Sequence, residues 1–282
     1  MENGSGRAPL LLVSMQRYGK FLIFVNYEKV KYMERLFGLI GYPLSHSFSK
    51  RYFTEKFERE GIAGCRYELF PLERIEDLLT ILEENPSLCG LNVTIPYKQT
   101  VIPYLHQLDA GAQAIGAVNT IRIADGKLTG YNTDAYGFME SLQRFLQQSG
   151  HQPPGALVFG TGGAAKAVVW ALQQLGIPHL SVSRRAEAGS ILYESIDKEH
   201  FTTHPLLINT TPLGMSPHTD ACPPLPYDLL DRQNLLYDLV YNPEETLFLQ
   251  KGKEAGCHTT NGLEMLYLQA EKAWSVWNDP AL

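Results

Sequence analysis

The sequence Val158-Phe159-Gly160-Thr161-Gly162-Gly163-Ala164-Ala165 joins an apolar run to an Ala- and Val-rich stretch through a glycine turn. Gly160 permits a tight exit from a strand, Gly162 lets the backbone approach a pyrophosphate, and Ala165 takes the third small position, where helix meets strand. The helix N-terminus then offers unpaired N–H groups and the positive end of a dipole to phosphates. A strand–helix turn without a ligand also uses glycines, but this one stands in the context a dinucleotide requires. At the end of the second strand, where an NAD site carries an acid for the ribose 2′-hydroxyl, the chain has Ser183-Arg184-Arg185 and no acid. Two guanidinium groups match a 2′-phosphate, so NADP is the expected cofactor. A solvated loop end would also carry arginines.

In the first half, polar residues gather near strand ends: Ser45-His46-Ser47-Phe48-Ser49, Asn92-Val93-Thr94-Ile95-Pro96-Tyr97-Lys98, Asn119-Thr120 and Asn132-Thr133-Asp134. Alternation puts Asn92 and Thr94 on one face of a strand and Val93 on the other. The hydroxyls of Ser47 and Ser49 suit either a helix cap or a polar ligand, and capping alone explains them. Taken together, these Ser, Asn, Thr, Lys and Asp side chains form a lining that fits a small polyhydroxylated anion. Turn and capping roles for each of them explain the spacing equally well.

These residues need a frame. Apolar runs at 36–41, 67–70, 88–93, 156–159, 179–183, 206–209, 235–240 and 258–260 read as strands, and helical spacing marks 49–59, 75–82, 164–175, 244–255 and 263–277. Segments 117–123 and 128–131 flank Asp125-Gly126, a hairpin turn signal. Asp134 is expected to cap a helix that runs to about residue 148. Pro153-Pro154-Gly155 lies in a linker at 151–155. Strands alternating with helices imply an α/β fold with mainly parallel sheets, whose ligands sit beyond the carboxyl ends of strands.

Composition narrows the function classes. A chain of 282 residues with 44% hydrophobic and 19% charged residues suits about two domains with real cores and excludes disorder throughout. The formal net charge of −6 gives no overall pull on nucleic acid. Cys65, Cys89, Cys222 and Cys257 form no C-x-x-C pair, so neither a zinc site nor a disulfide framework is indicated, and four reduced thiols point to the cytoplasm. No His/Cys/Asp/Glu cluster suggests a metal, and no apolar run is long enough to span a bilayer. Residues 1–32 alternate short apolar stretches with basic residues ahead of Met33. They are expected to be a poorly ordered extension before the natural start, an extra strand or interfacial helix being the alternative.

The motifs Gly41-Tyr42-Pro43-Leu44-Ser45-His46-Ser47-Phe48-Ser49, Asn92-Val93-Thr94-Ile95-Pro96-Tyr97-Lys98, Gly116-Ala117-Val118-Asn119-Thr120 and Gly130-Tyr131-Asn132-Thr133-Asp134 resemble the shikimate dehydrogenase family. The glycine turn, Asn209-Thr210-Thr211, Tyr241-Asn242-Pro243 and Gly262-Leu263-Glu264-Met265-Leu266 through Gln269-Ala270 continue the likeness in order, from about Leu36 to Trp277.

The resemblance implies a two-domain α/β enzyme. After the extension at 1–32, residues 33–134 with 262–282 would bind substrate, and 135–261 would form a Rossmann-like NADP-binding domain, with the C-terminal helix returning to the substrate side. The implied reaction is the reversible NADPH-dependent reduction of 3-dehydroshikimate to shikimate, a step toward chorismate and the aromatic amino acids. Carried over by motif, Lys98 and Asp134 are the catalytic pair, and Ser47 and Ser49 bind the substrate carboxylate. Asn92, Thr94, Asn119 and Gln269 bind ring hydroxyls, and Tyr241 lies near the carboxylate end. Gly160, Thr161, Gly162, Gly163, Ala164, Ala165 and Thr210 hold the cofactor, with Ser183, Arg184 and Arg185 at its 2′-phosphate and Gly262 and Met265 by the nicotinamide.

The chain departs from the family pattern in two places. Ala186-Glu187-Ala188-Gly189 supplies no further arginine after Arg185, and Phe48 stands between the two serines where many relatives have a polar or basic residue. A quinate/shikimate dehydrogenase using NAD or NADP is the neighbouring alternative, and a non-catalytic ligand sensor of the same fold is the alternative of another class. The expected partner is the small-molecule substrate alone, with neither nucleic acid nor membrane, and the expected state is a cytoplasmic monomer or homodimer.

Overall fold

The computed structural model describes residues 13–18, 21–26, 34–44, 47–185 and 189–279. Strands β1 (Val13–Tyr18) and β2 (Phe21–Asn26) pair antiparallel in a two-stranded sheet of their own. The rest of 1–33 lies outside the described residues, and with it most of the expectation of a poorly ordered extension. Ser45, His46 and residues 186–188 lie outside them too.

Six strands build a first sheet: β3 (Arg35–Gly41), β4 (Cys65–Pro71), β5 (Leu88–Val93), β6 (Gln107–Leu108), β7 (Thr120–Ala124) and β8 (Lys127–Tyr131), in the order β4-β3-β5-β7-β8-β6. Helices α1 (Phe48–Arg59), α2 (Leu78–Glu84) and α3 (Ala110–Ile115) belong to this half. Strand β3 is buried on both faces. Phe37 and Leu39 pack with Phe53 and Phe57 of α1, while Leu36 and Ile40 pack on the other side with Leu78 of α2.

This sheet is mixed, while pairing over the two six-stranded sheets together is mainly parallel, as expected. β4, β3 and β5 are parallel, but β7 runs antiparallel to β5 and to β8. The chain leaves the end of β5 and returns to that same end, where the Val93 N–H donates to the Asn119 carbonyl at 2.8 Å. It then reverses at Asp125-Gly126, both with positive φ (50° and 71°), the conformation of a two-residue hairpin turn.

The second sheet is wholly parallel. It contains β9 (Ala156–Phe159), β10 (His179–Ser183), β11 (Ser190–Leu192), β12 (Leu206–Asn209), β13 (Leu235–Asp238) and β14 (His258–Thr260), in the order β11-β10-β9-β12-β13-β14. The order reverses between β9 and β12, and doubly wound sheets bind ligands in the crevice at that switch point. Ala156 and Val158 face one core and Leu157 and Phe159 the other, so the strand reads as an unbroken apolar run.

Two long helices tie the sheets together. Helix α4 (Thr133–Ser149) starts at the end of β8 and buries Phe138, Leu142 and Phe145 against the second sheet. After α5 (Gly163–Gln174), α6 (Lys198–Thr203) and α7 (Leu247–Glu254), helix α8 (Leu263–Asn278) runs the opposite way. Its Met265 packs in the core of the second sheet, and its Ala270, Ala273, Val276 and Trp277 pack on the first. The helices touch at Gly137, where a side chain would strike the Met265 carbonyl oxygen at 2.6 Å. The Trp277 Nε1–H donates to the Ile121 carbonyl at 3.0 Å and anchors the far end of α8.

Two helix starts differ from expectation. Asn132, not Asp134, caps α4, its Oδ1 accepting from the Ala135 N–H at 3.1 Å; Asp134 sits in the first turn with its carboxylate free for other partners. Helix α7 begins at Leu247 rather than 244, because the Thr246 side chain caps it.

At the end of β13, Asp238 is wholly buried and accepts hydrogen bonds from Asn209 (2.9 Å), the Val240 N–H (3.0 Å) and Thr246 (2.5 Å). Burial outweighs these donors and pushes its pKa from 3.8 up to about 6. A carboxyl whose pKa is raised by folding stabilises the protein below its unfolded pKa, and that stability is lost as pH rises through the folded one. Asp238→Asn should therefore flatten the stability profile between about pH 4 and pH 7, removing a loss of about 3 kcal/mol. Denaturant titrations of both proteins across that range would check it; parallel profiles would refute it.

Candidate active site

The turn after β5 positions Lys98. The Thr94 N–H donates to Ile40 O at 2.9 Å, and the Tyr97 N–H closes the turn on Thr94 O at 2.9 Å. The Tyr97 ring is buried, with its hydroxyl on Leu72 O at 2.5 Å. The Val118 N–H donates to Lys98 O at 2.7 Å, which fixes the lysine backbone beside the approach to β7. The Lys98 Nζ then reaches Asp134 Oδ2 at 2.7 Å. The side chains are 20% and 11% exposed, so the pair is largely desolvated yet open to a ligand.

The other carboxylate oxygen is also engaged. Asn119 Nδ2 donates to Asp134 Oδ1 at 2.8 Å, and the Thr133 N–H donates to Asn119 Oδ1 at 2.6 Å, which sets the orientation of that amide. Gln269 Oε1, carried in by α8, accepts from Asn119 Nδ2 at 3.5 Å. Asn92 Nδ2 reaches the Thr120 hydroxyl at 3.3 Å, and the Tyr67 hydroxyl donates to Asn92 Oδ1 at 2.7 Å. Lys98, Asp134, Asn119, Asn92 and Gln269 thus belong to one hydrogen-bonded network.

A cavity of about 720 Å³ opens beside Lys98. Thr94, Ile95, Pro96, Lys98 and Gln99 line it from the first half. Gly160, Thr161, Gly162, Gly163, Ala164, Ser183, Arg184, Arg185, Tyr193 and Thr210 line it from the second. A methyl group on Gly163 would touch the Lys98 side chain at 3.7 Å, so the glycine turn and the lysine are direct neighbours. Gly160 has φ +112°, and a side chain there would meet Thr210 Oγ1 at 2.6 Å. Only glycine fits this left-handed position at the switch point. Gly162 caps α5 without a side chain and has open space around it, so the first-turn N–H groups receive no side-chain cap. At the other end, the Arg185 N–H donates to Ser183 Oγ at 3.2 Å, which shapes the turn presenting the exposed arginines. Burial pushes the Tyr193 hydroxyl up to about 12, with Arg184 acting the other way.

The remaining expected residues stand elsewhere. Ser47 caps α1, accepting from the Lys50 N–H at 3.4 Å, and Ser49 lies in the first turn beside Tyr67. Phe48 stacks on Tyr52 at 5.3 Å and meets Tyr241 and Tyr267 edge-on at 6.2 and 5.2 Å. Burial raises the Tyr241 pKa, with Arg51 opposing it. Ala165 is buried under the glycine turn, and Met265 is packed in the core of the second sheet. Gly262 lies so close to Leu239 O that no side chain fits. Neither Gly262 nor Met265 lines the cavity. Sequence reasoning passed over Tyr67, Tyr193 and Gly137. Of these, Gly137 alone carried a signal, as a glycine inside a helical pattern.

The geometry can perform acid–base work. An ammonium held by a carboxylate, at the edge of a cleft lined by hydroxyl and amide groups, can donate a proton to an oxygen on which negative charge develops. Among the described residues, no group of three or more His, Cys, Asp or Glu could hold a metal ion, and no helix is long and apolar enough to cross a membrane.

Known proteins resemble this chain over most of its length. Residues 39–121 match the family model described as the shikimate dehydrogenase substrate binding domain. The shikimate dehydrogenase (NADP(+)) of Clostridium beijerinckii is 41% identical over 252 residues, covering 86% of this chain and 92% of that protein. Its counterpart from Oleidesulfovibrio alaskensis is 38% identical over 255 residues, covering 86% and 89%. Among solved structures, shikimate 5-dehydrogenase from Thermus thermophilus, in complex with NADP(H) and shikimate, superposes with a TM-score of 0.75 at 32% identity, covering 86% of this chain and 93% of that one.

Proposed function

The chain belongs to the shikimate dehydrogenase family, and on that premise we propose that it catalyses the reversible NADPH-dependent reduction of 3-dehydroshikimate to shikimate. One observation carries the reading: Lys98, held by Asp134 at 2.7 Å, adjoins the glycine turn and lines a cavity that extends to Arg184 and Arg185. Gly160, the open space at Gly162 and the paired arginines fit a dinucleotide with an extra phosphate. When bound, the nicotinamide supplies the hydride for the carbonyl carbon of the substrate.

The chain's own residues do the rest. Lys98 donates a proton from its ammonium to the carbonyl oxygen as negative charge develops there, and it takes a proton back from solvent after turnover. Asp134 orients the ammonium, and Asn119 holds Asp134 by its second oxygen. Asn92, Thr94, Asn119 and Gln269 receive the ring hydroxyls, because amides and hydroxyls both donate and accept. Ser47 and Ser49 donate to the substrate carboxylate, with Tyr241 near that end.

The N–H groups of residues 161–165 take the pyrophosphate, with Gly160 and Thr210 closing the turn behind it. Arg184 takes the 2′-phosphate, with Ser183 and Arg185 shaping its site, and Gly262 and Met265 stand at the nicotinamide end. Residues 33–134 with 262–282 form the substrate side and 135–261 the cofactor side. The same reading makes the protein a cytoplasmic monomer or homodimer with no nucleic acid or membrane partner.

A steady-state assay crossing shikimate and quinate with NADP and NAD tests this. Shikimate with NADP should give the highest kcat/KM. A preference for quinate or NAD would move the enzyme to the broader branch of the family, and binding without turnover would make it a sensor.

A further inference from the structure

The network at the site ends in a residue that touches neither the catalytic lysine nor the cavity. Tyr67, on β4, is 2% exposed, and its ring stacks on Phe53 at 4.8 Å. A buried phenol needs a partner for its hydroxyl, and this one donates to Asn92 Oδ1 at 2.7 Å. Asn92 Nδ2 makes only long contacts within the protein, to Asn119 O at 3.4 Å and to Thr120 Oγ1 at 3.3 Å. The well-made bond to Asn92 is therefore the one from Tyr67.

An Asn side chain has two orientations that sterics barely distinguish, and its hydrogen bonds choose between them. A phenol that donates to Asn92 fixes its oxygen toward β4 and its N–H₂ toward β7. The reversed orientation would set Asn92 Oδ1 against the Asn119 carbonyl, acceptor against acceptor. Ser49 stands on the other side of the same phenol and partly offsets the upward push of burial on its pKa. A phenol has one proton to give. Having given it to Asn92, Tyr67 accepts the Ser49 hydroxyl proton on its own oxygen, which keeps the phenol proton directed at Asn92.

We propose that Tyr67 is a positioning residue that sets the hydrogen-bond polarity of the substrate site: it locks the Asn92 amide with its N–H₂ available to a substrate hydroxyl. This rests on the functional reading above and extends it by one residue that contacts no ligand. Tyr67 acts on substrate binding in both ground and transition states. Its loss should raise KM and leave the proton-transfer pair intact, since the Thr133 N–H orients Asn119, Asn119 holds Asp134 and Asp134 holds Lys98, none of these bonds being made by Asn92.

Tyr67→Phe removes one oxygen and keeps the ring. The variant should show a KM for shikimate raised about tenfold or more, kcat within about threefold of wild type, and an unchanged KM for NADP. Combined with Asn92→Ala, which removes the amide that Tyr67 orients, the further effect of Tyr67→Phe on KM should shrink to less than about twofold, as for coupled neighbours. A general structural defect would instead lower kcat and carry over undiminished into the double variant.

An unchanged KM in Tyr67→Phe, or equal effects in both backgrounds, overturns the proposal. Should the variant not fold, the side-chain amide resonances of Asn92 in the wild-type protein decide. They should shift on adding shikimate and not on adding NADP alone; no shift with shikimate refutes the assignment. Wild-type turnover of shikimate is the control: without it the functional reading fails, and with it only the role of Tyr67 is in question.

Discussion

Replacing Lys98 by alanine is expected to lower turnover of shikimate by at least about a hundredfold while changing its affinity only modestly. The ammonium is the positive group that adjoins both the glycine turn and the polar network, and its partner Asp134 is held on its second oxygen by Asn119. Removing Lys98 leaves Asp134 bonded to Asn119, so the surrounding walls should keep their shape. The loss should therefore fall on kcat. Steady-state kinetics with circular dichroism to verify folding would measure it, and turnover that survives would remove Lys98 from the chemistry. Asp134→Asn tests the same pair from the other side: an amide can still accept from Lys98 but no longer supplies the charge that holds the ammonium.

The second large effect concerns the cofactor. Arg184→Ala should raise the KM for NADPH by about tenfold to a hundredfold, the range for losing one hydrogen-bonded charge partner of a phosphate. The KM for NADH should change by less than about twofold, since NADH has no 2′-phosphate. Arg184 and Arg185 are both exposed at the cavity wall, and Ala186-Glu187-Ala188-Gly189 brings no third arginine directly after them. Arg185 is tied by its backbone N–H to Ser183, and on the proposed reading its side chain is the second contact. The double variant should lose most of the remaining discrimination. Equal losses for the two cofactors in Arg184→Ala would show that the guanidinium serves the turn and not the phosphate.

Much of this was legible because the informative residues lie where strands end. The central strands of the second sheet are covered on both faces, so Ala156–Phe159 and Leu206–Asn209 appear in the sequence as bounded apolar runs. Asp125-Gly126 announced the hairpin because few pairs tolerate two positive φ values in succession.

What stayed hidden depends on contacts distant in sequence. Asn132 and Asp134 are both competent caps, and only the geometry shows that Asn132 takes the task and frees Asp134 for Lys98. Strand β11 and helix α6 are too short to show a period. The mixed pairing of the first sheet follows from where the chain re-enters after β5, which no local pattern records. Tyr67 reads as one more aromatic in a strand, because its partner Asn92 lies 25 residues away. Gln269 reaches the site only because Gly137 lets α4 and α8 approach so closely.

The most direct test of the central claim is a crystal structure of the protein with shikimate and NADP bound together. The account predicts the substrate hydroxyl that is to be oxidised within hydrogen-bond reach of Lys98 Nζ, about 3 Å, with its carbon facing the nicotinamide across the cleft beside Gly163. A complex in which that hydroxyl is held by other groups, with Lys98 and Asp134 turned away from the substrate, would contradict it.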